Sequence, residues 1–252
     1  MSKHRERPWT VTNHRPIEKL DDNLWVVEGK VPGLPVMRRM AIVKRSDGTL
    51  LFYHAVPLDD AALREVTNWG KPAYLVIAHD NHGIDAHPFA QRLGLKVFGP
   101  KSNVEKMRAK FDVHGALEDI PPDSAVSVTS IAGTRFDEPV AVVASGNGAR
   151  TSLVFCDAFQ NNRKEGMPLL FRLMQFAGPK VPWMFKLLFT RVRQASVAPR
   201  PGAVGRVARS CATGAVSWRR RFGRRGGHAA PRRRGNLRPA RLRVPLVRVL
   251  AS

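Results

Sequence analysis

The chain has 252 residues, with 42 Lys and Arg against 20 Asp and Glu, for a formal charge of +22. That length holds one large domain or two small ones, and a 43% hydrophobic content suffices for a sizeable core. No run of about 18 consecutive apolar residues suggests a spanning helix, no apolar h-region follows the first residues, and Cys156 and Cys211 make no disulfide framework, so the cytoplasm is the expected location.

Residues 1–19 read as an N-terminal extension. From residue 20 the pattern is of strands joined by turns. Leu24-Trp25-Val26-Val27-Glu28 is a short apolar strand, and Met40 to Lys44, the turn Ser46-Asp47-Gly48 and Leu50 to His54 predict a hairpin. Pro57-Leu58-Asp59-Asp60 opens a helix that either Asp can cap, with Leu63, Val66 and Trp69 on one face, until Gly70 and Pro72 stop it. Tyr74 to Ala78 is a continuous apolar run, as in a strand covered on both faces. A His-rich loop, a helix over 89–93 and a strand over 95–100 complete a βαβ unit. A helix is predicted over 102–111, opened by Ser102. Strands are predicted over 125–131, 139–145 and 151–156, the last two joined by Gly146-Asn147-Gly148. Residues 167–189 predict two short helices divided at Gly178-Pro179 and Pro182, packing against the domain or a partner. There is no Gly-x-Gly-x-x-Gly and no Gly-Lys-Ser/Thr phosphate loop.

The composition changes abruptly at about residue 192. Residues 192–252 hold 16 Arg and no Lys, Asp or Glu, and Arg, Ala, Gly and Pro fill 38 of those 61 positions. A nucleic-acid-binding arm ordinarily mixes Lys with Arg, since both neutralise phosphate. The segment therefore reads as GC-rich coding sequence translated in a shifted frame, and is expected to be disordered. The alternative is a genuine basic arm, with nonspecific polyanion binding through runs such as Arg219-Arg220-Arg221 and Arg232-Arg233-Arg234.

The chemistry-bearing residues concentrate in one place. His79, Asp80, His82, Asp85 and His87 fall within nine positions directly after the apolar strand, where a loop at a strand's C-terminal end is expected. Imidazole with carboxylate suits zinc, iron or manganese, against the plainer reading of a polar surface loop. Asp157 is the natural further ligand, because it too ends an apolar strand. His54 reads as a hydrogen-bonding residue, Cys156 as a small buried side chain and His114 as a surface residue.

Taken in order, Asp22 to Val26, Arg39 to Val43, Leu50 to His54 with Pro57-Leu58, the histidine loop and Asp157 resemble the metallo-beta-lactamase fold superfamily. More narrowly, residues 20–191 resemble a lactamase-like branch of it with a degenerate metal motif. The resemblance implies a four-layer αββα sandwich, incomplete at the C-terminus. The superfamily's His-x-His-x-Asp-His loop superposes on His82 to His87, with Ile84 and Ala86 in ligand positions that neither can serve. It therefore implies a metal set of His82, His87 and Asp157, with His79 and Asp85 as catalytic candidates, and at most one zinc or iron ion, or none. The function so implied is that of a degenerate, or at most mononuclear, metal-dependent hydrolase of a small-molecule ester, amide or thioester. The alternative is a basic nucleic-acid-binding protein using its Arg-rich segment.

Overall fold

The computed structural model describes residues 8–34, 37–131, 137–157, 160–162, 178–180 and 246–251. Strands β1 (Glu18–Asp21), β2 (Leu24–Lys30), β3 (Met37–Lys44) and β4 (Thr49–Tyr53) follow one another as an antiparallel meander. Helix α1 (Asp60–Trp69) then crosses to β5 (Lys71–Val76), α2 (Ala86–Leu93) to β6 (Lys96–Gly99), and α3 (Val104–Arg108) to the two-residue β7 (Gly115–Ala116), and these three crossovers make parallel pairs. The result is one seven-stranded sheet in chain order.

A second sheet is built from β8 (Val126–Ser130), β9 (Pro139–Ser145) and β10 (Arg150–Phe155). The short strands β11 (Gln160–Asn162) and β12 (Gly178–Lys180) pair with each other, and β13 (Leu246–Ala251) lies parallel to β10. Of residues 192–252, only this last strand falls among the described residues. The expectations of a disordered segment and of a polyanion-binding arm therefore lie otherwise outside them.

Side-chain alternation along the first sheet assigns residues to two cores. Trp25, Val27, Met40, Ile42, Leu50, Phe52, Leu75 and Ile77 face the helices, where Val66, Phe89, Met107 and Phe111 cover them. Leu24, Val26, Ala41, Val43, Leu51, Tyr53, Val76 and Ala78 face the second sheet, meeting Val126, Ala141, Val143 and Val154. That is why the central strands read as unbroken apolar runs, whereas β9 alternates strictly between buried and half-buried residues. Helices, first sheet and second sheet thus make an α/β sandwich. The residues predicted for two further helices, 167–189, lie outside the described ones apart from β12.

Polar ties fix one sheet over the other. The turn before β2 grips the turn between β9 and β10. Asn23 donates its amide to the Ala144 carbonyl at 2.8 Å, and Ser145 Oγ donates to Asn23 Oδ1 at 2.6 Å. The backbone N–H of Gly146 donates to the Asp22 carboxylate at 3.1 Å. That second turn runs through left-handed backbone at Gly146, Asn147 and Gly148, with φ of 56°, 55° and 82°, which glycine and asparagine supply at little cost. Buried Arg45 donates to the carbonyl of Pro121 at 2.9 Å, and Ser46 N–H to Asp123 at 2.9 Å, anchoring the segment that leads into β8.

The sequence reading is off at three helix and strand boundaries. Helix α2 begins at Ala86, three residues before the predicted start, because Pro88 lies in its first turn, where a missing N–H costs nothing. The helix predicted over 102–111 is only Val104–Arg108 after a tight turn at Lys101–Asn103. The chain leaves the helix so that Phe111 and Val113 can enter the helix-side core. The strand expected over 74–78 is β5, Lys71–Val76, which starts three residues earlier and takes Pro72 as its second residue beside a register irregularity.

Inside the sheet-on-sheet core, fully buried Tyr53 donates its hydroxyl to the Pro139 carbonyl at 2.6 Å. Replacing Tyr53 by Phe leaves that carbonyl without this donor, and is expected to lower unfolding free energy by about 1–3 kcal/mol in urea titration. Stability equal to the parent would show that the tie contributes nothing.

Candidate metal site at the strand ends

The chain delivers four chemistry-bearing side chains to one rim by ending strands there. β4 stops at Tyr53 and His54 follows in left-handed backbone, with φ of 65°. Its N–H still donates to Val76 O at 2.9 Å, so the imidazole is held at the edge of the sheet. β5 ends at Val76, and Ile77 N–H bonds to Phe98 O at 3.0 Å before the chain departs at Ala78-His79. On the facing sheet β10 ends at Phe155, putting Cys156 and Asp157 opposite.

The loop after β5 is a tight turn. His82 N–H donates to His79 O at 3.0 Å, which sets the two imidazoles side by side with ring centroids 4.3 Å apart. Gly83 makes the turn's close approach to the core possible. A Cβ there would lie 2.2 Å from the ring of Phe111.

Asp157 is the centre of the arrangement. Its Oδ2 lies 3.3 Å from His79 Nε2 and 3.2 Å from His82 Nε2. Burial alone would raise the Asp157 pKa. Hydrogen bonds from His79 and His82, with the charge of both rings, outweigh it and hold the carboxyl far below the usual carboxylate range. At His82 burial alone would lower the imidazole pKa, but the hydrogen bond and charge of Asp157 raise it above the ordinary value. The other ring nitrogen of His82, Nδ1, is 2.9 Å from Cys156 Sγ. Buried Glu138 accepts the Cys156 N–H at 2.9 Å and so fixes the start of the Cys156-Asp157 pair.

Burial, and then the charge of His82, push the His54 pKa well below the ordinary imidazole value, and its Nε2 is buried with no hydrogen-bond partner among the described residues. Among the described residues two donor sets follow, each with ligand atoms within 4.8 Å of one another: His79, His82 and Asp157, and His54, His82 and Cys156.

In the first set, two of the three separations match those of metal ligands. Ligands at about 2.0–2.1 Å around a tetrahedral zinc stand about 3.3 Å apart, the separation of Asp157 from both rings. His82 also has the outer partner such a ligand needs, since Nδ1 faces Cys156 while Nε2 faces Asp157. His79 is less well prepared. The N–H of Asn81 donates to its Nδ1 at 3.3 Å, so ligation through Nε2 moves the ring proton to Nδ1 and gives up that contact.

Of the residues singled out in the sequence, His79, His82 and Asp157 come together here. His87 lies on α2 and lines an open cavity of about 420 Å³ with Phe111, Asp112 and His114, outside both donor sets. Asp85 precedes α2 and forms an ion pair with Arg38. His54, Glu138 and Cys156 were not among the site residues. The signal that could have found two of them was the one used for Asp157, a position just past the end of an apolar strand.

The charges make a pH-dependent pair. Asp157 stabilises the fold above the ordinary carboxylate pKa, about 4, and loses that contribution as pH falls toward its depressed value. His82 contributes fully below the ordinary imidazole pKa, about 6.5, and loses its contribution as pH rises through its elevated one. In metal-free protein, NMR titration of Asp157→Asn is expected to move the His82 pKa downward past the ordinary value, since burial and the charge of Arg38 then act against Glu138 alone. An unmoved His82 would mean that the carboxylate does not set its charge.

No protein-family model and no curated protein matches the chain. Among solved structures it is similar to the metallo-beta-lactamase IND-7, at 14% identity and a TM-score of 0.44, over 62% of this chain and 76% of that one. It is also similar to a metallo-beta-lactamase with a HARLDQ motif from Cronobacter sakazakii, at 14% identity and a TM-score of 0.42, over 61% and 68%. The described residues themselves make an α/β sandwich with a cluster of potential metal ligands at its strand ends.

Proposed function

We propose that the chain holds one zinc or iron ion through His79, His82 and Asp157, and acts as a mononuclear hydrolase of an ester, amide or thioester. The observation that supports this reading is a single carboxylate oxygen at 3.2–3.3 Å from two imidazole nitrogens on the facing sheet. When bound, such an ion supplies Lewis acidity, which makes water a nucleophile near neutral pH and polarises a carbonyl. Asp157 is ionised throughout the physiological range and offers the negative charge that a divalent cation needs. His82 must give up its Nε2 proton to ligate, and the proton on Nδ1 then faces Cys156 Sγ. The ring is the more accessible part of the cluster, its side chain 32% exposed, so a small acyl substrate approaches from its side. His79 and Asp85, the catalytic candidates of the sequence, take other parts in this reading. His79 is a ligand, and Asp85 balances Arg38, whose positive charge lowers the pKa of both His54 and His82.

The test is metal content with hydrolysis in parallel. Protein purified without chelator is expected to carry about one equivalent of zinc or iron. Chelation, His82→Ala and Asp157→Ala are each expected to abolish turnover of a small activated ester such as p-nitrophenyl acetate. Protein with no metal and no uptake on titration would overturn the proposal, as would hydrolysis indifferent to both substitutions.

A further inference from the structure

His82 serves two neighbours with its two ring nitrogens, and only one of them belongs to the site just proposed. Nε2 faces Asp157, whereas Nδ1 faces Cys156 Sγ at 2.9 Å. On that second side stands His54, 94% buried, whose Nε2 has no hydrogen-bond partner among the described residues. A buried imidazole nitrogen without a partner forfeits its hydrogen bond to water and gains nothing in return. His54 is moreover held in left-handed backbone, which besides glycine mainly Asn, Asp and His adopt, and its ring stands 5.3 Å from that of His82. One ligand atom each from His54, His82 and Cys156 lies within 4.8 Å of the others.

We infer that His54, His82 and Cys156 form a second, sulfur-containing metal site for a thiophilic divalent ion such as zinc or cadmium. Two imidazole nitrogens and a thiolate are a borderline-soft donor set, which selects against magnesium and calcium and in favour of these ions. Cys156 is fully buried and His54 nearly so, which leaves His82 as the side of entry. Binding replaces the Cys156 S–H bond with a sulfur–metal bond and needs His82 Nδ1 free of its proton, the ring keeping its other proton on Nε2 toward Asp157, so this site fills as an alternative to the first; the released protons pass to solvent. The inference goes beyond the hydrolase reading and shares only His82 with it. An ion here has donors on both sheets, since His54 follows β4 and Cys156 follows β10.

Cobalt(II) added to the full chain reads the two sites separately, because only thiolate ligation gives a near-ultraviolet sulfur-to-cobalt charge-transfer band. The expected result is a saturable band in the parent protein that Cys156→Ser removes. His54→Asn, which keeps a residue tolerant of left-handed backbone, is expected to weaken cobalt affinity by about tenfold or more. Asp157→Asn and His79→Gln are expected to keep the band while losing ester hydrolysis, so failure of the hydrolase reading and failure of this one are distinguishable. Absence of the band in the parent protein overturns the inference. A band that survives Cys156→Ser, is indifferent to His54→Asn, or disappears with Asp157→Asn also overturns it.

Discussion

The structure depends on a parity constraint. Each central strand of the seven-stranded sheet is covered on both faces, so neighbouring residues must satisfy different cores. Trp25 and Val27 answer to the helices, while Leu24 and Val26 answer to the second sheet. A slip of one residue would exchange the two sets and place a Trp where Leu24 meets the facing sheet. The pairings Leu24 with Val43 and Val43 with Leu51 keep residues of the same core in register across three strands. With register so fixed, the points at which strands stop are fixed too, and those points carry the cluster.

The polar ties act on the remaining freedom, the sliding of one sheet over the other. Apolar contact is non-directional and tolerates small shifts, whereas the amide of Asn23 on the Ala144 carbonyl does not. Asp157 and the two histidines it joins come from different sheets, so their separation is only as definite as that alignment. The Tyr53 hydroxyl, one residue before His54, ties the two sheets beside the cluster itself.

Much of the layering was legible in the sequence. The turns Asp47-Gly48 and Asn147-Gly148 between apolar runs announced both hairpins, and the run Tyr74 to Ala78 announced a strand covered on both faces. Site membership was harder to read. Superposing a motif on His82 to His87 counts positions along the chain, but the loop folds as a turn that sets His79 beside His82 and continues into α2 at Ala86. His87 therefore leaves on a helix, and the histidine before the turn joins the cluster. Cys156 and His54 were read by their apolar surroundings, which is how a buried ligand looks when the partner that explains it comes from another strand. Glu138 is eighteen residues and a hairpin away from the next site residue, so nothing local marks it.

The contact between Gly83 and Phe111 ties the cluster to the opposite layer. The Phe111 ring occupies the space where a side chain at position 83 would sit, and it is also part of the core under the helices. The aim of the His82 ring thus has a mechanical stop that lies on neither sheet. A smaller residue at 111 would leave the loop room to sink, and a larger one would lift it toward solvent. Position 111 is in that sense a set-screw for the distance between His82 and Asp157, acting from the helical side without touching either residue's chemistry.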